Sequence, residues 1–254
     1  MILIVEEILL YFSLKYEGDY EKIYRALKRK ENIDKQEKDR LLATLHSKYT
    51  TIVSADYPER LKYIDCPPFV LYYYGDLTYV TSKTIGVIGM RIPSLYGTTI
   101  TKKIVSQLVD HQYTIVSGMA RGIDTIAHVQ AIEKQGKTIA VLGSGIDYCY
   151  PRKNEKIYHI LKTEQFICSE YPEYTKPTPT SFPKRNRIIA GLSQALLVTE
   201  AMLKSGTMIT IGYALEQGKD IFCMPGRITD YQGCNYLIQQ GAKLVSTIDD
   251  ILEG

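Results

Sequence analysis

In the stretch SFPKRNRIIAGLS (181–193), Lys184, Arg185 and Arg187 surround Asn186 directly ahead of an apolar run. The formal net charge of the chain is only +3, so a cluster of this kind is a local anion site rather than part of a general polycation. Pro183 restricts the chain ahead of the cluster, and the IIAGL run starts a buried helix. The expectation is therefore a basic loop at a helix N-terminus. Cations in that place oppose the helix dipole, and a bound polyanion would relieve the conflict. The other reading keeps the arginines as internal scaffolding, with Arg185 or Arg187 paired to Glu170 or Glu200. The sequence leaves both open.

A second group of polar residues follows the β-rich runs: Gly89-Met90-Arg91 with Ser94, Ser117-Gly118-Met119-Ala120-Arg121-Gly122-Ile123-Asp124, Gly143-Ser144-Gly145, Glu200, and Met224-Pro225-Gly226. Glycines there permit positive φ and close backbone approach, and the N–H groups of a following helix favour an anion. Tight turns need glycine whatever the function, so Arg91 and Arg121 carry more of the argument for phosphate binding. Asp124 and His128, four apart, are too few for a metal site and read as a cap and a packing residue. Glu200, near Ser205-Gly206-Thr207, is a candidate general base but reads better as an internal ion pair or loop hydrogen bond. No Walker motif is present, and Gly86-Val87-Ile88-Gly89 lacks the G-x-G-x-x-G spacing of dinucleotide binders. No catalytic residue, cofactor or metal is expected.

These residues need a frame to hold them. β-rich runs at Thr84–Ile88, Tyr113–Val116, Thr138–Leu142, Ala195–Thr199, Asp220–Cys223 and Ala242–Val245 alternate with helical patterns such as Tyr96, Ile100, Ile104 and Leu108, spaced four apart. That alternation predicts an α/β fold: a Rossmann-like, parallel-rich sheet with helices on both faces over residues 83–254. Ligands of such a sheet bind at the carboxyl ends of its strands. A small helical domain is expected over 1–52. A connector over 53–82 contains Pro67-Pro68 and a strand candidate at Phe69–Tyr74.

Bulk properties narrow the function classes. The 254 residues are 45% hydrophobic and 23% charged, an ordinary globular composition. Residues 1–80 hold 12 Lys and Arg against 13 Asp and Glu, and the remainder holds 19 against 15, so any nucleic-acid contact must use a local patch. The opening MILIVEEILLYF carries Glu6 and Glu7, falls short of the roughly 18 apolar residues of a membrane span, and reads as an amphipathic helix. The five cysteines form no C-x-x-C pair, which fits a reducing cytoplasm. The 21 tyrosines include candidates for stacking on bases, although many must fill the core.

Seven segments in order, IGMRIPSLYG (88–97), SGMARGIDTIAH (117–128), TIAVLGSGIDYCYP (138–151), SEYP (169–172), SFPKRNRIIAGLS (181–193), TEAMLKSGTMIT (199–210) and MPGRITDYQGCNYLIQQGA (224–242), resemble the DNA-processing protein A family, DprA or Smf. The resemblance covers nearly all of 57–246. It implies a Rossmann-like domain behind a sterile-alpha-motif-like helical domain, in the form lacking a C-terminal winged helix. It further implies a homodimer that binds and protects incoming single-stranded DNA and helps load the RecA recombinase in natural transformation, without catalytic turnover. Matched to the family motifs, the phosphate-binding residues would be Arg91, Ser117, Gly118, Arg121, Gly122, Lys184, Arg185, Asn186 and Arg187. Dimerisation would use roughly 202–246. Met90 and Thr199 depart from the family pattern. The rival is a phosphoribohydrolase-like enzyme acting on nucleoside monophosphates, faintly suggested by Ser205-Gly206-Thr207 with Glu200 or Glu216, but its Pro-Gly-Gly loop is missing.

Overall fold

The computed structural model describes residues 2–253. Three helices, α1 (Ile2–Lys15), α2 (Tyr20–Lys28) and α3 (Lys35–Leu42), come first. Asp19 and Asp34 cap α2 and α3 by accepting the N–H of Lys22 and Glu37. Tyr11, Phe12, Ile23 and Ala26 pack between α1 and α2. The next face of α1 turns Leu9, Leu10 and Leu14 onto the sheet. The opening apolar segment is a helix, but not the amphipathic one expected: its second half, Leu9 to Leu14, is buried all round, while Ile4 and Val5 in its first half are exposed. Among the described residues no helix is long and apolar enough to cross a membrane.

The sheet begins earlier than the sequence suggests. Strand β1 (Lys48–Thr51) lies inside the segment read as helical, and β2 (Val70–Gly75) lies inside the connector; the two pair antiparallel. Then follow β3 (Thr84–Ile88), α4 (Leu95–Asp110), β4 (Thr114–Ser117), α5 (Ile123–Glu133), β5 (Thr138–Val141), α6 (Glu155–Glu164) and β6 (Phe166–Ser169). The chain continues through α7 (Ser181–Leu192), β7 (Ala195–Val198), α8 (Gly206–Glu216), β8 (Ile221–Cys223), α9 (Gly233–Gln239), β9 (Lys243–Leu244) and α10 (Asp249–Leu252). The nine strands form one sheet in the order β1-β2-β6-β5-β4-β3-β7-β8-β9. From β6 to β9 every pairing is parallel, while β2 joins β6 antiparallel.

Strand periodicity divides the apolar residues between two faces. Ile85, Val87 and Ile115 pack with Ile104, Leu108 and Ile123 of α4 and α5. Ile88, Val116, Ile139 and Val141 face the opposite way, against Ile188, Ile189 and Leu192 of α7 and Ile211 of α8. The expected Rossmann-like α/β architecture, with helices on both faces, is what forms. The strand order reverses at β3, where β4 lies on one side and β7 on the other. A crevice opens there at the carboxyl ends of the strands.

Candidate functional site

Helix α7 forms one wall of this crevice, and it starts three residues before the first of the basic residues. Pro183 sits in its first turn, where a missing N–H costs little because the first four N–H groups of a helix have no intrahelical partner. The basic cluster is accordingly helical, where a preceding loop was expected. At about 100° per residue, Arg185 and Arg187 emerge roughly 200° apart on the helix. That separation gives them different surroundings.

Arg187 is committed to the interior. Its two terminal nitrogens reach Glu170 at 2.8 and 2.6 Å, Nε donates to Cys66 O at 2.9 Å, and Nη1 also donates to Lys184 O at 2.7 Å. Both side chains are about 5% exposed. Burial alone would lower the Arg187 guanidinium, but the Glu170 carboxylate outweighs it and holds the group above its ordinary range. Of the two sequence readings, internal scaffolding describes this arginine.

Arg185 is as deeply buried but meets carbonyls. Nη1 donates to Gly118 O at 2.6 Å and to Val141 O, and Nε donates to Asn186 Oδ1 at 3.1 Å. Nη2 makes no hydrogen bond and the side chain no ion pair among the described residues. Burial lowers this guanidinium to about 10, with Asp124 opposing and Arg91 adding to the fall, so it is a full cation near neutral pH. A methyl group on Gly118 would lie 2.7 Å from Arg185 Cζ, which makes glycine the residue that admits the guanidinium.

The crevice itself is a cleft of about 840 Å³, and Arg91, Asp124 and Arg185 are the charged residues of its lining. Asn186, Ala120, Met202, Ser205 and Thr207 contribute to its walls. Arg91 is exposed and makes neither a hydrogen bond nor an ion pair among the described residues. Its turn is held by Gly122, whose φ of +77° places it against Met90 O, while Ile123 N donates to that same oxygen at 3.0 Å. Gly122 thereby sets Arg91 in place through backbone packing. Ser117 is buried, its hydroxyl donating to Val87 O at 2.7 Å, which ties β4 to β3. Arg121 is exposed on the loop before α5 but outside the cleft lining. Lys184 is exposed and lines, with Arg187, a separate cleft of about 300 Å³ on the other side of α7. Of the nine residues named from the sequence, Arg91, Arg185 and Asn186 line the crevice, while Gly118 and Gly122 shape it from behind.

Two aromatic residues of the site carried no sequence argument. Tyr150 and Phe182 line the cleft with ring centroids 5.3 Å apart, and Tyr150 is 47% exposed. Phe182 stands three residues before Arg185 and so shares its helical face, a signal available once the segment is read as helix. Gly143-Ser144-Gly145, which their place after a strand assigns to the rim, are buried; Ser181 Oγ donates to Gly143 O at 2.6 Å and Ser144 Oγ to Tyr148 O at 2.8 Å.

Of the candidate catalytic groups, Glu200 and His128 have internal duties. Glu200 accepts the N–H of Ser94 at 2.8 Å and its hydroxyl at 2.6 Å, fixing the start of α4. Glu216 is exposed, and neither glutamate lines the cleft. His128 is fully buried, and burial pushes its imidazole down to about 3. Thr138 spends its hydroxyl hydrogen on Ile115 O, so the 2.7 Å contact to His128 is donated by Nδ1. Among the described residues no group of acidic, histidine and cysteine side chains could hold a metal ion.

With this geometry in place, known proteins give it a family. The model of the DNA recombination-mediator protein A family matches residues 48–254, beginning at the first residue of β1. DNA processing protein DprA of Streptococcus pneumoniae is 41% identical over 204 residues, covering 80% of this chain and 72% of that protein. Protein Smf of a Synechocystis species is 44% identical over 203 residues, and there the chain spans about half (51%) of the relative's length. The X-ray structure of DprA from Streptococcus pneumoniae superposes with a TM-score of 0.82 at 37% identity, over 92% of this chain and 80% of that one. DNA processing protein A from Helicobacter pylori gives 0.75 at 30% identity, over 82% and 95%. The chain belongs to the DNA recombination-mediator protein A family.

Proposed function

We propose that the cleft binds single-stranded DNA, with Arg91 and Arg185 taking backbone phosphates and the Tyr150–Phe182 pair offering a face for a base. The observation that carries this is the convergence of two cations that make no ion pair among the described residues, from separate elements, beside the Tyr150–Phe182 pair, of which Tyr150 is exposed. Phosphate contacts hold a strand without reading it, and stacking on aromatic rings tolerates any base, so sequence preference is small. The Helicobacter pylori relative, whose fold this chain shares, binds single-stranded DNA. Arg121 and Lys184, exposed on either side, extend the path of the backbone, while Ser117, Gly118, Gly122, Asn186 and Arg187 build the frame.

The protein acts without turnover, as a mediator that passes its strand to RecA recombinase in the cytoplasm. Absence of Glu200 and Glu216 from the cleft lining weighs against nucleotide cleavage. A second copy of the chain docks on exposed apolar residues near α8 and α9, among them Leu203, Leu215 and Tyr236. The test is fluorescence-polarisation titration of labelled oligo-dT, at two salt concentrations, against the wild type and Arg91→Ala/Arg185→Ala. Salt-sensitive binding that disappears in a folded double variant supports the reading. Failure of the folded wild type to bind even at low salt removes it.

A further inference from the structure

One charged residue of the cleft does not belong in a site built for phosphate. Asp124 is the single carboxylate in the lining, and it is 8% exposed, on the first turn of α5. It accepts the N–H of Ala120 at 3.3 Å, so it is anchored to the same loop whose Gly118 carbonyl holds Arg185. Its carboxylate lines the same cleft as the Arg185 guanidinium and acts on it through its charge, and a strand must draw its attraction from that guanidinium. With Arg91 and Arg185 it leaves the lining at a net charge of +1.

Resting on the reading that the cleft binds DNA, we propose that Asp124 is an internal counter-ion that competes with strand phosphate for Arg185, setting both the affinity and its pH dependence. A phosphate brought against Arg185 adds a second negative charge close to the carboxylate. Binding therefore favours protonated Asp124, and the strand enters with uptake of a proton at that carboxyl. Burial already raises this carboxyl above its ordinary range, against the pull of Arg185 and of the Ala120 and Gly118 N–H groups. The sign follows: affinity rises as pH falls through the range where Asp124 takes up its proton, and it is lowest where the carboxylate is fully charged. A mediator that must release its strand gains from a site held below its maximum strength.

The other groups around Asp124 do not supply this dependence. Arg185 on α7 keeps its charge, and the other charged side chains nearby, Arg91 after β3 and Arg121 on the adjoining loop, are exposed arginines. His128, one turn along α5, is held neutral by burial. The remaining histidines, His46, His111 and His159, are exposed and lie outside the cleft lining.

The experiment measures oligo-dT affinity from pH 5.5 to 8 at fixed ionic strength for the wild type and Asp124→Asn, which keeps the shape and an acceptor for Ala120. The expected result is that Asp124→Asn binds about tenfold tighter at pH 8, the size of one unit charge at about 10 Å in a protein-like medium, with the gap narrowing as pH falls. Parallel pH profiles, or weaker binding by a folded Asp124→Asn at every pH, overturn the proposal while leaving DNA binding intact. Absence of wild-type binding at every pH removes the DNA reading and this proposal with it. Should the variant not fold, calorimetry of the wild type in two buffers of different ionisation heat decides: fractional proton uptake on binding at the acid end of the range supports the assignment, and zero uptake at every pH rejects it.

Discussion

Arg185 and Arg187 stand two residues apart on one helix, each about 4% exposed, yet they are held by opposite means. Arg187 ends on a bidentate carboxylate and Arg185 on two backbone carbonyls. Carbonyl dipoles satisfy N–H groups without cancelling the charge, so the Arg185 side of α7 keeps a cation for an incoming anion and the Arg187 side does not. Burial therefore separates the two less well than the formal charge of the partner. Gly118 leaves, under the Arg185 guanidinium, the room that a side chain would fill.

The largest effect that sharpens this contrast is Arg187→Met. It leaves Glu170 as a buried, unpaired carboxylate, and the expected loss is about 3–5 kcal/mol of unfolding free energy in urea titration. Adding Glu170→Leu should restore most of it, because replacing a whole buried pair by apolar groups is commonly near neutral. A double variant as unstable as the single one would break the assignment of Arg187 to scaffolding alone.

Arg185→Met is expected to be milder for stability and harsher for binding. Two carbonyl oxygens lose a donor, at about 2 kcal/mol, while oligo-dT affinity falls at least about tenfold. Lys219→Met tests the helix that carries both arginines. The Lys219 ammonium donates to the carbonyls of Ala190, Gly191 and Ser193, closing the C-terminus of α7 with a cation where the helix dipole favours one. Its loss should cost about 1 kcal/mol by thermal melting and leave DNA affinity within about twofold. An affinity loss as large as that of Arg185→Met would mean that α7 transmits strain to the cleft.

Much of this frame was legible in advance, and the misses have physical causes. β3, β4 and β5 are short β-branched runs followed by glycine or serine, which is how strands buried on both faces read. β1, Lys-Tyr-Thr-Thr, opens a run of β-formers, Tyr49 to Val53, but it is a half-exposed edge strand without the apolar signature of a central one, and its pairing with β2 is fixed by tertiary packing. β6, Phe-Ile-Cys-Ser, is buried throughout and as long as β4 and β5, but it holds a single β-branched residue where each of those holds three, so its composition gives little strand signal. At the site, the residue types were readable and the partition was not. Pro183 reads as a helix breaker, so the basic cluster reads as a loop, and a loop has no faces to divide Arg185 from Arg187. Glu170 could be named as a partner, but only folding decides which arginine it meets.

The smallest effect on stability belongs to Arg91→Ala, and it tests the comparison most directly. Arg91 is exposed and unpaired among the described residues, so its removal should change unfolding free energy by less than about 0.5 kcal/mol. If it neutralises one phosphate, the slope of log affinity against log salt should fall by about 0.7, the value for one contact on a single strand. Arg185→Met should lower the same slope by a similar amount, since the second cation of the cleft is removed. Arg187→Met/Glu170→Leu, which removes a cation and its carboxylate together on the far side of the helix, should leave the slope where the wild type has it. Three variants of arginine thus divide by slope alone, and an unchanged slope in Arg91→Ala would mean that the strand takes its charge from elsewhere on the surface, with Arg121 and Lys184 as the next positions to remove.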